Sequence, residues 1–159
     1  MTNRSLFLVA VLLFVTDRAA FAQSADGDVD AHSAHSPAGL WSTISDRDGK
    51  PTGLVEIREV NGELIGIVRG ILVDAGPEDS VCDKCTDDRK GQPIIGMEIL
   101  RHMRRHGDEW GGGEILDPEN GQTYRATMKL DDGGKKLIVR GYIGIPMFGR
   151  SQTWVRKQE

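Results

Sequence analysis

Apolar and polar residues alternate with a period of two along most of this chain, most clearly over residues 110–130. Two arms flank an Asp117-Pro118-Glu119-Asn120-Gly121 turn. On the second arm Tyr124, Ala126, Met128 and Leu130 share one face, and Thr123, Arg125, Thr127 and Lys129 share the other. Side chains point to opposite faces of a strand in turn, so this is the pattern of a hairpin with one dry and one wet face. The same reading predicts eight strands, at residues 39–45, 53–60, 63–73, 94–101, 110–116, 122–130, 135–142 and 150–156. Asn61-Gly62 supplies the strongest short hairpin signal, and residues 46–50 and 131–134 supply further turns. A polar loop at 74–93 and a basic connection at 101–108 interrupt the run, the latter with room for one helical turn over 101–106. No stretch sustains a helical period with caps.

Eight sequential strands with short links predict an all-β, up-and-down meander that closes into a barrel, because closure removes the exposed edges of an open sheet. An open, half-rolled sheet or sandwich is the alternative. A barrel of eight strands is either filled by side chains or holds one small ligand.

The first 22 residues read as an address. Arg4 precedes an apolar run at 6–15, and Ala20-Phe21-Ala22 offers a cleavage site, so residues 1–22 are expected to be a signal peptide cut after Ala22. The run is too short to span a bilayer as a helix, which leaves no integral membrane segment in the mature chain and predicts a periplasmic or secreted protein. Residues 23–37 hold one Val and no aromatic residue, too little apolar surface to offset ordering, and read as a flexible leader. Residues 38–159 form the single expected domain. Loss of Arg4, Asp17 and Arg18 with the signal peptide moves the net charge from −4 to −5, which argues against nucleic acid as a partner. Glycine, at 20 residues all beyond the signal peptide, has about twice its usual share, as many tight turns require.

Gly39-x-Trp41 near the start and Trp154-x-Arg156 near the end resemble the lipocalin pattern, in which G-x-W opens the barrel and a basic residue of the last strand packs across the tryptophan. A longer ordered set includes Cys82-x-x-Cys85, Pro93-Ile94-Ile95-Gly96, Trp110-x-x-Gly113, Asp117-Pro118, Gly121, Tyr124, Arg140-Gly141-Tyr142, Gly149-Arg150 and Gln152-x-Trp154-x-Arg156. With this set, residues 39–156 resemble an exported bacterial family, domain of unknown function 2147. The resemblance implies a lipocalin-like barrel and brings no reaction with it. The basic segment 101–108 departs from the family pattern.

Cys82 and Cys85 are the chain's two cysteines, and in an exported protein a disulfide between them is the expected state. A redox dithiol is disfavoured, because Glu78, Asp79, Asp83, Asp87 and Asp88 crowd the pair and oppose a thiolate. A zinc site would need His32 and His35, or His102 and His106, to complete half a ligand set, so no metal and no cofactor are expected. The cationic run from Arg101 to His106 suits either an anionic headgroup at a barrel mouth or plain solvation, and the acidic net charge favours solvation. Trp41, Tyr124, Met128, Arg140, Tyr142 and Trp154 are the candidate ligand-binding residues. Arg140 alternates with Ile138 and Tyr142, which places it inside the barrel or at an edge, paired with a ligand carboxylate, with Glu114 or with a backbone carbonyl; internal pairing is favoured. The chain has no G-x-S-x-G, H-E-x-x-H or P-loop. The expected function is therefore non-enzymatic: binding or carrying a small apolar ligand, such as a fatty acid. The alternatives are a solid barrel that docks a cell-envelope partner through residues 74–93, and a thiol or metal protein centred on Cys82 and Cys85.

Overall fold

The computed structural model describes residues 35–72, 77 and 79–158, so the expected signal peptide and most of the expected leader lie outside the described residues. Eight strands follow in order: β1 (Gly39–Ile44), β2 (Pro51–Val60), β3 (Glu63–Ile71), β4 (Glu98–His106), β5 (Glu109–Asp117), β6 (Gln122–Asp131), β7 (Lys136–Tyr142) and β8 (Arg150–Arg156). Each is antiparallel to the next, and β1 also pairs with β8, with Trp41 opposite Arg156 and Thr43 opposite Trp154. The sheet is a closed barrel with no free edge. Asn61 and Gly62 both take positive φ, as a two-residue hairpin turn requires, and β2 turns directly into β3.

The basic segment is corrected by the structure. Residues 101–106 belong to strand β4 (Glu98–His106), not to a connection or a helical turn, and the strand expected at 94–101 begins four residues later. The cause is a break in phase. Leu100 and Met103 both face inward, opposite Gly66 and Leu64, with His102 between them at φ 58° and the register shifted. A bulge inserts one residue and so changes apolar spacing from two to three, which hides the strand from a period-two reading.

Inward positions of the eight strands build one core. Trp41, Leu100, Ala126 and Leu137 are 0 % exposed, and Ile57, Met103, Met128 and Trp154 are 1 % exposed. A side chain bordering a void large enough for water would retain accessible surface, so the barrel is solid at this level. Gly113 is required here by sterics alone. A Cβ would fall on the Arg101 carbonyl and 2.6 Å from the Met103 sulfur.

One end of the barrel is sealed by the two ends of the described chain. The Arg156 guanidinium lies over the Trp41 ring at 4.2 Å and donates to the carbonyls of Ser36 (2.6 Å), Ala38 (2.8 Å) and Gly134 (2.7 Å). The Trp41 indole N–H donates to the Pro37 carbonyl at 2.8 Å, and Pro37 is buried. Packing therefore starts before residue 38. The last residues of the expected leader supply acceptors that Trp41 and Arg156 need once buried. At this end lie the turns 61–62, 107–108 and 132–135; at the other lie 45–50, the described part of the β3–β4 connection (79–97), 118–121 and 143–149.

Candidate functional site at the barrel mouth

The open end of the barrel, away from Arg156, has a half-exposed inner layer. Register places Thr43, Ile71, Ile115, Tyr124, Gly141 and Gln152 on the inner face in the last layer before the mouth, and all six are half-buried rather than buried. Gly141 keeps space there, since a Cβ would meet the Tyr124 Cβ at 3.4 Å and the Ile115 Cγ2 at 3.5 Å. The Tyr124 hydroxyl accepts from the Asn120 amide at 3.1 Å, and the Trp154 indole N–H faces the Gln152 side-chain oxygen at 3.4 Å. The mouth is thus a shallow cup in which Ile71 and Ile115 lie among a hydroxyl, a phenol and an amide.

Of the candidate ligand residues, Trp41, Met128 and Trp154 lie in the solid core and Tyr124 in the cup. Arg140 and Tyr142 alternate with the inward Leu137, Val139 and Gly141, so they sit on the outer face of β7. Arg140 is paired internally with backbone carbonyls: Nε donates to Pro146 (2.7 Å) and Nη2 to Met147 (3.2 Å), while Nη1 donates to Ser151 Oγ (2.8 Å).

Residues 82–89, between β3 and β4, fold back over the outer face of β4, β5 and β6. Cys82 and Cys85 are joined in a disulfide with Cα atoms 5.4 Å apart, and both are fully buried. Beside them Arg89 is only 2 % exposed. Its guanidinium clasps the Asp87 carboxylate and donates to the Glu98 carbonyl and Thr123 Oγ1, each at 3.1 Å. Hydrogen bonds from Arg89 stabilise the ionised Asp87 and lower its pKa to about 2, as expected where a cation donates directly to a carboxylate. Gly121 lets the Lys84 carbonyl pass where a side chain would stand, which locks the 118–121 turn beneath the loop. The sequence marked Cys82, Cys85 and Gly121, but Arg89 had no signal within its polar neighbourhood.

Three cations of the basic run of β4, Arg101, His102 and Arg104, are paired with acids. Arg101 donates to Asp88 (3.0 and 3.1 Å) and Glu98 (3.0 Å), and Arg104 and His102 both hold Glu63, at 2.5 and 2.9 Å. Hydrogen bonds from His102 and then Arg104 lower the Glu63 pKa, and those from Arg101 lower that of Asp88. Arg105 lies over the Trp110 ring at 5.5 Å. A cleft of about 260 Å³ crosses the outer face near His102, Glu114 and Arg125, and one of about 340 Å³ lies at the Arg156 end, where His35, Glu59 and Arg105 rim the inward-facing Leu64, Met103 and Trp110. Among the described residues no group of three His, Cys, Asp or Glu side chains converges as a metal site would need.

No curated protein sequence matches the chain. A solved structure described as protein HP1028 from the human pathogen Helicobacter pylori, belonging to the lipocalin family, superposes with a TM-score of 0.66 at 20 % identity, over 77 % of this chain and 83 % of that one. At that identity the likeness establishes a shared lipocalin-like fold. Residues 39–156 match the model of a family described as uncharacterized protein conserved in bacteria, DUF2147, and with nearly the whole barrel inside that match the chain belongs to this family.

Proposed function

We propose that this chain is an exported, non-enzymatic binding protein that takes a small, largely apolar molecule in the shallow cup at its mouth. The observation that carries this reading is the gradient of exposure along the inner face. Side chains are sealed through the body of the barrel, then half-exposed at Ile71, Ile115, Tyr124 and Gln152. Small-molecule sites are concave and mostly apolar with a few placed polar groups, and barrel mouths are a favoured location. Export is supported by the charge, apolar run and small-residue pattern of residues 1–22, and by the disulfide, which persists in oxidising compartments. Among the described residues no helix is long and apolar enough to cross a membrane.

The test is binding by delipidated protein of saturated fatty acids of increasing length, followed by thermal shift and native mass spectrometry. A solid body limits insertion to the end of a chain, so affinity should plateau at short lengths, and Tyr124→Ala should weaken it about tenfold by removing the half-buried ring from the cup. Native spectra showing only bare polypeptide, with no thermal shift at any length, would sink the reading. That result would favour the second one, an envelope interaction module on a solid barrel, which the fully buried Trp41, Leu100 and Leu137 support.

A further inference from the structure

Residues 143–148, between β7 and β8, hold four large apolar side chains in water. Ile143 is 71 % exposed, Ile145 51 %, Met147 74 % and Phe148 79 %. Single exposed apolar residues are ordinary, but four within six residues form a patch of roughly 500 Å², at the upper end for a monomer. The segment is also held in shape. Pro146 opens one 3-10 turn, closed by Phe148 N–H to the Ile145 carbonyl (3.3 Å) and Gly149 N–H to the Pro146 carbonyl (3.0 Å). Arg140 braces it from below through the Pro146 and Met147 carbonyls. Gly149 packs where a Cβ would lie 2.6 Å from the Gly141 carbonyl and 2.8 Å from the Tyr142 Cβ. The structure therefore presents Met147 and Phe148 on a braced, convex tip at the rim of the mouth.

We propose that residues 143–148 dock the open end of the barrel on a zwitterionic phospholipid surface, with Met147 and Phe148 inserted among the acyl chains. Area argues against a second copy of the chain or another protein. A stable protein interface draws about 800 Å² from each partner out of some 20–30 residues, whereas this apolar patch comes from one turn of six residues. A fluid bilayer accepts a convex apolar tip without a complementary surface. Charge selects the lipid. Described turns at this end carry Asp46, Asp48, Asp79, Asp83, Asp87, Asp88, Asp117 and Glu119 against Arg47, Lys50, Lys84, Arg89, Lys90 and Arg150, with Asp46 and Arg150 paired to each other. That acidic excess leaves no basic field to attract anionic headgroups, so apolar insertion dominates. The docking stands whether or not the cup takes a ligand.

The chain recovered after export would be tested, with its N-terminus fixed by intact mass. Both native cysteines are in the disulfide, so Met147→Cys accepts one environment-sensitive fluorophore; Val60→Cys at the sealed end, 43 % exposed, is the control. With phosphatidylethanolamine–phosphatidylcholine vesicles, the label at position 147 should shift to the blue and the label at position 60 should not. Co-sedimentation should fall at least about tenfold in the Met147→Ser/Phe148→Ser variant, and a tenfold rise in salt should leave wild-type binding unchanged. Exposure of both residues lets the variant keep the wild-type melting temperature. Equal response at both labels, no response at either, or unchanged sedimentation of the double variant overturns the proposal. So does a wild-type dimer in lipid-free buffer that the double variant abolishes, since the occupant would then be a second copy.

Discussion

Replacing Arg156 by Met isolates the contribution of the sealed end. The substitution keeps an unbranched apolar stem against Trp41 but removes the guanidinium, which lies 4.2 Å from the ring and donates to the carbonyls of Ser36, Ala38 and Gly134. A partly desolvated cation–π contact contributes about 1 kcal/mol. Each charge-assisted hydrogen bond contributes about 1 kcal/mol net where water can partly replace the donor. The expected loss is therefore about 4 kcal/mol, or a fall of roughly 12–16 °C in Tm for a domain of this size. Arg156→Lys keeps the charge above the ring but cannot reach three diverging carbonyls, and should lose about 2 kcal/mol. Urea unfolding at neutral pH, followed by tryptophan fluorescence, reads both values, since Trp41 and Trp154 are sealed in the core and report its opening. A loss below about 1 kcal/mol for the Met variant would refute the claim that Arg156 closes the barrel. Full stability in the Lys variant would show that charge alone suffices and that the three carbonyls contribute nothing.

Three other outcomes follow from the long loop and its anchor. Asp87 has its pKa lowered from 3.8 to about 2 in the folded state, so its stabilisation is complete above about pH 4 and disappears as pH falls through 2; Asp87→Asn should flatten that part of an acid-unfolding curve. The Asp87 side chain is 36 % exposed, so screening limits the effect to about 1 kcal/mol. Replacing Cys82 and Cys85 with Ser should cost about 2 kcal/mol in urea unfolding, the loop entropy of so short a closure, with the barrel's far-ultraviolet circular dichroism unchanged. Gly121→Ala places a methyl on the Lys84 carbonyl at φ 72° and should cost about 3 kcal/mol. Gly133→Ala, with φ 62° but open space around it, should cost only about 1 kcal/mol, and equal melting temperatures for the two variants would remove the steric argument.

The barrel was legible because its signals are local. Asn61-Gly62 dictates a turn by the φ values those two residues tolerate, and the Tyr124 to Leu130 alternation fixes a face by the pleat. Only the first part of β4, residues 98–101, was legible as a strand, since the bulge at His102 puts Leu100 and Met103 three apart and leaves a row of cations that looks like a loop. The candidate site was legible only in part. Tyr124 falls in the cup, but Ile71, Ile115 and Gln152 join it through register across six strands, which no single window of sequence contains. Arg140 alternates with apolar residues in either orientation of β7; only pairing with β6 and β8 decides that it faces out. Asp87 is two residues from Arg89, but the Glu98 carbonyl and Thr123 hydroxyl that complete its burial lie 9 and 34 residues away, so that burial is a tertiary fact.

A filled interior changes where recognition has to occur on this fold. With Leu100, Met103, Met128 and Leu137 sealed at 0–1 %, a molecule reaching the barrel axis would have to displace core side chains, at the cost of cavity formation and strain. The mouth carries no such penalty, because its inner layer is already half-exposed and the structure around it is braced independently of the core. Arg89 holds the disulfide loop and Arg140 holds the apolar turn, each satisfying backbone carbonyls with an arginine fork. Neither brace extends the hydrophobic core, and the Arg140 brace keeps Met147 and Phe148 in water, where burial would have stabilised the fold. A turn fixed in that conformation loses less conformational entropy on contact with a surface than a flexible one, and pre-organisation of this kind is useful for binding rather than for folding.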